Sequence, residues 1–222
     1  MAARIQRRSV TGPAGRIELA LDWPDAAAPL GIAYIGHPHP LYGGSLDNKV
    51  AATLARAFAG VDWLAVRPNF RGVGETEGAH DHGHGETDDF LHVFDSTSEW
   101  LGHERPAGVP FALAGFSFGS FVVARVARQL AARGSTPAQL VLVGTAAGKW
   151  DVPAAPGALV IHGENDETIP LADVLAWARP QELPVVVLPG ADHFFHRRLG
   201  ALKQLVQRHV LATTAERDPR GA

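Results

Sequence analysis

Cysteine is absent from the 222 residues. That excludes disulfides, cysteine-based zinc sites and a thiol nucleophile, and it is compatible with a reducing compartment. A dominant charge is lacking too: 20 basic and 23 acidic residues leave a formal net charge of −3. No basic excess offers a surface to nucleic acid or to an anionic membrane. No apolar run approaches the ~18–20 residues of a membrane span. Met1 to Arg8 carries positive charge, but the apolar run that a secretory signal needs does not follow it. No repeat, linker or shift of composition divides the chain. What is left is one soluble domain, expected in the cytoplasm. Its 46% hydrophobic and 19% charged residues suit an ordinary globular core.

What is present alternates. Strand-like segments at Gly31–Ile35, Val61–Arg67, Phe111–Ala114, Leu140–Val143, Ala158–Ile161 and Pro184–Leu188 are separated by helix-like ones. This is the pattern of a mainly parallel sheet with helices on both faces. Arg16–Trp23 alternates polar and apolar residues and reads as an antiparallel edge strand. Helices are expected from Leu46 to Ala59 with Ser45 as N-cap, and over Glu86–Leu101, Phe118–Arg133, Ala172–Ala178 and Phe194–Leu211. The tail from Thr213 to Ala222 is small and polar and is expected to fray.

Gly115-Phe116-Ser117-Phe118-Gly119 follows a buried strand and opens a helix. A turn that sharp forces unusual backbone angles on its middle residue. Glycines on either side remove the Cβ atoms that would collide. The hydroxyl of Ser117 then stands exposed beside the free N–H groups of the helix start, which makes Ser117 the candidate nucleophile and Phe118 N–H a candidate oxyanion donor. A serine hydroxyl needs a base. Of eleven histidines, His193 lies in the turn after the last strand, at the sheet edge that also carries Ser117. His196 and His209 fall in the terminal helix as surface residues, and His162 ends a strand, where it supports the site or fills space. The base needs a carboxylate to fix its tautomer. Asp166, past the strand Ala158–Ile161, is favoured over Glu164 and Asp151. Asp192 adjoins the base, and adjacent side chains rarely face each other. A second oxyanion donor is expected from the loop after the first buried strand, Gly36 to Gly44. Pro38 and Pro40 lack an N–H, so the donor is His39, with Leu41 as the alternative.

Three blocks resemble the α/β-hydrolase superfamily: His37-Pro38-His39-Pro40-Leu41-Tyr42-Gly43-Gly44 with Asp47-Asn48-Lys49-Val50, then Asn69-Phe70-Arg71-Gly72-Val73-Gly74, then Gly115 to Gly119. They are most similar to the small bacterial α/β hydrolases related to dienelactone hydrolases and serine peptidases. The likeness spans about residues 16 to 210. Thr76 stands where members often carry serine. The resemblance implies an α/β-hydrolase fold, a triad of Ser117, Asp166 and His193, and hydrolysis of carboxylic esters.

Many relatives place a helical cap between the strands at Leu140–Val143 and Ala158–Ile161. Gly144 to Gly157 is too short for one. An open site suits small soluble esters or thioesters, with Leu41, Tyr42 and Trp150 as candidate substrate contacts. The segment His80-Asp81-His82-Gly83-His84-Gly85-Glu86 invites a metal reading, but a rim to the site fits it better, and the expected chemistry requires neither metal nor cofactor. The oligomeric state is left open. A short-peptide peptidase and a non-catalytic binding protein on the same fold are the alternatives.

Overall fold

The structure, a computed structural model, describes residues 4–102 and 109–215. Eight strands form one sheet in the order β1-β2-β4-β3-β5-β6-β7-β8. They are β1 (Arg4–Gly12), β2 (Gly15–Trp23), β3 (Gly31–Gly36), β4 (Trp63–Pro68), β5 (Phe111–Phe116), β6 (Gln139–Val143), β7 (Leu159–Gly163) and β8 (Val185–Leu188). β1 and β2 are antiparallel to their neighbours, and β4, β3 and β5 to β8 run parallel. The helices are α1 (Lys49–Ala59), α2 (His84–Asp95), α3 (Thr97–Leu101), α4 (Phe118–Ala132), α5 (Leu171–Ala178) and α6 (Leu199–Ala215). This is the expected α/β architecture without a cap: residues 144–157 contain no helix.

Alternation along the strands divides the core. Val50, Leu54 and Phe58 of α1 pack with Leu202 and Val206 of α6 against Ala65, Ala114 and Val143. On the other face, Phe90 of α2, Val122 and Val126 of α4 and Val174 of α5 cover Val66, Leu113 and Val160. The parallel strands are buried on both faces, which is why they read as continuous apolar runs. The strand order turns at β3 and β5. Such a switch point opens a crevice at the carboxyl ends of the strands.

Several boundaries differ from the sequence reading. β2 is not the edge, because β1 pairs with it from Arg4 to Gly12. β1 escapes pattern reading because its exposed and half-buried positions alternate with almost no apolar signal, as in a charged edge strand. The N-cap of α1 is Asn48, not Ser45; its side chain accepts the N–H groups of Val50 and Ala51. The helix expected over Glu86–Leu101 starts at His84 and breaks at Ser96, whose hydroxyl bonds back to the His92 carbonyl. The last helix begins at Leu199, not Phe194. Phe195 and Arg197 take left-handed angles, φ 54° and 59°, that no helix accommodates. It also continues through Thr213 to Ala215, so that stretch does not fray; residues 216–222 lie outside the described ones. Among the described residues no helix is long and apolar enough to cross a membrane.

Two buried polar anchors fix the loops that follow β3 and β4. Arg67, at the end of β4, meets Asp22 of β2 at 2.8 Å and donates to the Leu46 carbonyl. Burial raises the Asp22 pKa, and the Arg67 charge pulls against that rise. His37 accepts the Phe70 N–H at Nε2 (2.9 Å) and so carries its proton on Nδ1, which donates to the Pro38 carbonyl (2.7 Å). Complete burial lowers its pKa from 6.5 to about 3, and it is neutral.

Asp22→Ala leaves the Arg67 guanidinium buried without its carboxylate, and chemical denaturation should register a loss of about 3–5 kcal/mol. Below pH 6.5 His37 takes up a second proton in the unfolded chain but not in the native one. Its contribution is therefore complete above pH 6.5 and declines as the pH falls toward 3. The decline is at most ~1.4 kcal/mol per pH unit. Denaturant titrations between pH 7 and 4 should give a shallower pH slope for His37→Gln than for the parent.

Candidate active site

Four loops at the carboxyl edge of the sheet converge on one point. Ser117 sits between β5 and α4 with φ 55° and ψ −123°. Non-glycine residues seldom occupy this region, which costs ~1–3 kcal/mol. The flanking glycines permit it. A Cβ on Gly115 would lie 2.3 Å from the Gly119 carbonyl oxygen, and one on Gly119 would lie 2.3 Å from that of Gly36. Ser120 stabilises the elbow further by donating to the Ser117 carbonyl (2.6 Å) and accepting the Ala146 N–H.

Asp166 follows β7, and His193 follows β8. His193 Nδ1 is 2.7 Å from Asp166 Oδ2, and its Nε2 is 3.0 Å from Ser117 Oγ. A carboxylate only accepts, so Nδ1 carries the imidazole proton and Nε2 is left to accept from the serine hydroxyl. All three side chains are buried, Ser117 the most open at 9% exposure. Asp166 Oδ1 accepts the N–H groups of Thr168 (2.9 Å) and Ile169 (2.7 Å). Burial alone would raise the Asp166 pKa. The His193 hydrogen bond, the Ile169 N–H and the nearby imidazoles outweigh it and hold the carboxyl below its ordinary range.

The rival residues lie elsewhere. Glu164 accepts the Gly190 N–H, Asp151 is exposed, and Asp192 turns away to bond His196 (2.6 Å). His196 precedes α6 instead of lying in it. His209 does lie within α6, half-buried, and desolvation lowers its pKa.

His39 opens a single 3-10 turn, and its Nδ1 accepts the Leu41 N–H at 3.2 Å. Among the described residues neither the His39 N–H nor the Phe118 N–H has an acceptor. The His39 ring packs on Phe118 (4.8 Å) and Trp150 (5.7 Å), and its pKa is lowered by burial and by the neighbouring His80. Leu41 and Tyr42 are largely exposed, with the Tyr42 ring 4.8 Å from His39. Trp150 also touches Phe118 (5.0 Å) and stacks on Phe121 (5.1 Å).

The histidine-rich segment does border this cluster. His80 packs against His39 and Phe118, and its Nδ1 approaches Glu86 at 2.7 Å. Among the described residues no three His, Asp or Glu side chains are grouped so as to hold a metal ion. A cleft of about 420 Å³ opens beside His193 between Phe194, Thr168 and Asn165. Phe194 also borders a cleft of about 530 Å³ that reaches Gly43, Lys49 and Leu199. Sequence reasoning gave no role to His37, Ser120 or Asn69. The last of these bonds the Leu46 N–H and Glu18 and so holds the loops beneath the site. His37 and Asn69 both stand in the segments that carry the family resemblance, and that was the available signal.

Residues 67–158, under half of the chain, match a thioesterase-domain family model. A lidless α/β serine hydrolase from Xanthomonas campestris is 36% identical, with 94% of each chain covered and a TM-score of 0.82. An α/β serine hydrolase homologue from Coxiella burnetii is 35% identical over 92% of this chain and 96% of its own, with a TM-score of 0.79. An uncharacterised protein of Rickettsia prowazekii is 28% identical over 215 residues, 90% of this chain and 86% of the relative. With this identity sustained over almost its whole length, the chain belongs to the α/β-hydrolase family, in the group that carries no lid.

Proposed function

We propose that the protein hydrolyses small soluble carboxylic esters or thioesters through an acyl-enzyme at Ser117. The observation that carries this reading is the unbroken line from Ser117 Oγ through His193 to Asp166, at 3.0 and 2.7 Å. His193 Nε2 takes the hydroxyl proton as Oγ attacks the carbonyl carbon. The tetrahedral oxyanion forms against the N–H groups of Phe118 and His39. Leu41 N–H is the weaker candidate, because it is already bonded to His39 Nδ1. His193 then returns the proton to the departing alcohol or thiol. Water, deprotonated by the same imidazole, releases the acid and restores the serine. Asp166 stays ionised and stabilises the imidazolium, in keeping with its lowered pKa. Each oxyanion donor is worth roughly 10²–10³ in turnover.

The aromatic wall of His39, Phe118 and Trp150 fits an apolar acyl group, with Leu41 and Tyr42 at its mouth. The cleft beside His193, lined by Phe194, Thr168 and Asn165, leaves room for the leaving group of a compact substrate. The thioesterase-domain match supports thioesters beside oxygen esters. A thiol leaves readily, so this site needs little more than nucleophile, base and oxyanion donors to turn one over.

Ser117→Ala should lower turnover of p-nitrophenyl and thioester substrates by roughly 10⁴–10⁶ with unchanged circular dichroism. Near-parental hydrolysis by that variant would remove Ser117 as nucleophile. Turnover should also fall on acidification, because a base that has gained a proton cannot accept one from the serine. A profile flat down to pH 4 would exclude His193 as the base.

A further inference from the structure

Asp166 has a second imidazole beside it. His162, the penultimate residue of β7, is completely buried, and its Nε2 lies 2.9 Å from the Ile169 carbonyl oxygen and 3.4 Å from Asp166 Oδ2. Both neighbours only accept, so the proton sits on Nε2. It is donated to the Ile169 carbonyl, and its positive end lies near Asp166 Oδ2 without a hydrogen bond to it. Nδ1 is buried with no partner. A second proton there would be an unpaired donor in the interior, which is strongly unfavourable. Burial accordingly lowers the His162 pKa. His162 is thus a neutral imidazole with one fixed tautomer, unlike His193, whose role requires it to gain and lose a proton.

We propose that His162 is a positioning residue for the triad: its Nε2–H ties the Ile169 end of the acid loop to β7 and offsets part of the charge that Asp166 presents to His193. The proposal rests on the triad reading given above. The other contacts of the carboxylate are already assigned: Oδ1 is held by the Thr168 and Ile169 N–H groups, and Oδ2 by His193. His162 is the one further side-chain N–H facing Oδ2 in the described residues, and it comes from the sheet instead of a loop. The titratable groups facing it are Asp166 on its own loop and His193 from the loop after β8. Without the His162 N–H, Asp166 keeps its full charge for the imidazolium of His193, and the base is protonated at a higher pH.

The test compares His162→Phe, which retains a ring but no N–H, with His162→Gln, which retains a donor. In His162→Phe the acidic limb of kcat/KM should move up by about half a pH unit, the scale of one nearby partial charge lost from beside the carboxylate. Plateau kcat should fall about tenfold as the acid loop loosens. The far-downfield proton resonance of the His193–Asp166 hydrogen bond should shift as well. His162→Gln should return the limb most of the way. A folded His162→Phe with limb and resonance unchanged overturns the proposal. Should His162→Phe not fold, nitrogen NMR of the parent decides. An imidazole at 162 that is neutral and protonated on Nε2 from pH 5 to 9 upholds the assignment. Protonation on Nδ1, or titration within that range, overturns it. Hydrolysis that survives Ser117→Ala defeats the triad reading instead, whatever tautomer His162 holds.

Discussion

Gly36 and Gly119 bring the end of β3 and the first turn of α4 into backbone contact, and the site is arranged around that crossing. A methyl group at 119 would stand 2.3 Å from the Gly36 carbonyl oxygen. Only with both side chains absent does the helix start close enough to β3 for the β3 loop and the elbow to share one small space. Ser117 keeps its left-handed angles because the strand before it and the helix after it are both fixed. The elbow is thus a local strain held by a close-packed interior, and its hydroxyl has little freedom to wander.

A second theme is that loops at the carboxyl edge are pinned from below by buried polar groups. Neutral His37 links the β3 loop to Phe70. Arg67 and Asp22 tie the end of β4 to Leu46. Ser120 joins the elbow to Ala146, and His162 joins the acid loop to its own strand. Apolar packing alone would leave these loops free to slide, since it is non-directional. Hydrogen bonds in a dry interior are directional, and an unmade one is expensive, so each loop has one favoured position.

What could be read in the sequence follows from this division. The parallel strands announced themselves as apolar runs, and the elbow announced itself through glycine spacing. His193 and Asp166 were chosen because each follows a strand at the same sheet edge, and the structure brings both side chains together with Ser117. β1 was missed because its half-buried residues include Gln6 and Arg8, which give no apolar alternation. Ser45 and Asn48 were both competent caps, and only the Asn48 geometry decided between them. Phe194 and Phe195 extended the apolar pattern of α6 backward, yet Phe195 enters the core from a turn. The role of His37 was hidden, and the partners of His162 could not be named, because a buried neutral imidazole leaves no periodic trace. It is defined by partners far away in the chain or by a carbonyl seven residues on.

Among the described residues the short connection from β6 to β7 carries no helix that could close over the elbow and Trp150. A hydrolase built this way cannot use enclosure to measure a substrate, because nothing closes behind it. Discrimination then falls on the groups next to the scissile bond, and distal parts of the molecule project into bulk water unread. For the acyl-enzyme proposed above, the missing lid lets water in as soon as the leaving group has gone. Such a scaffold favours release of a free acid over transfer of the acyl group to another acceptor.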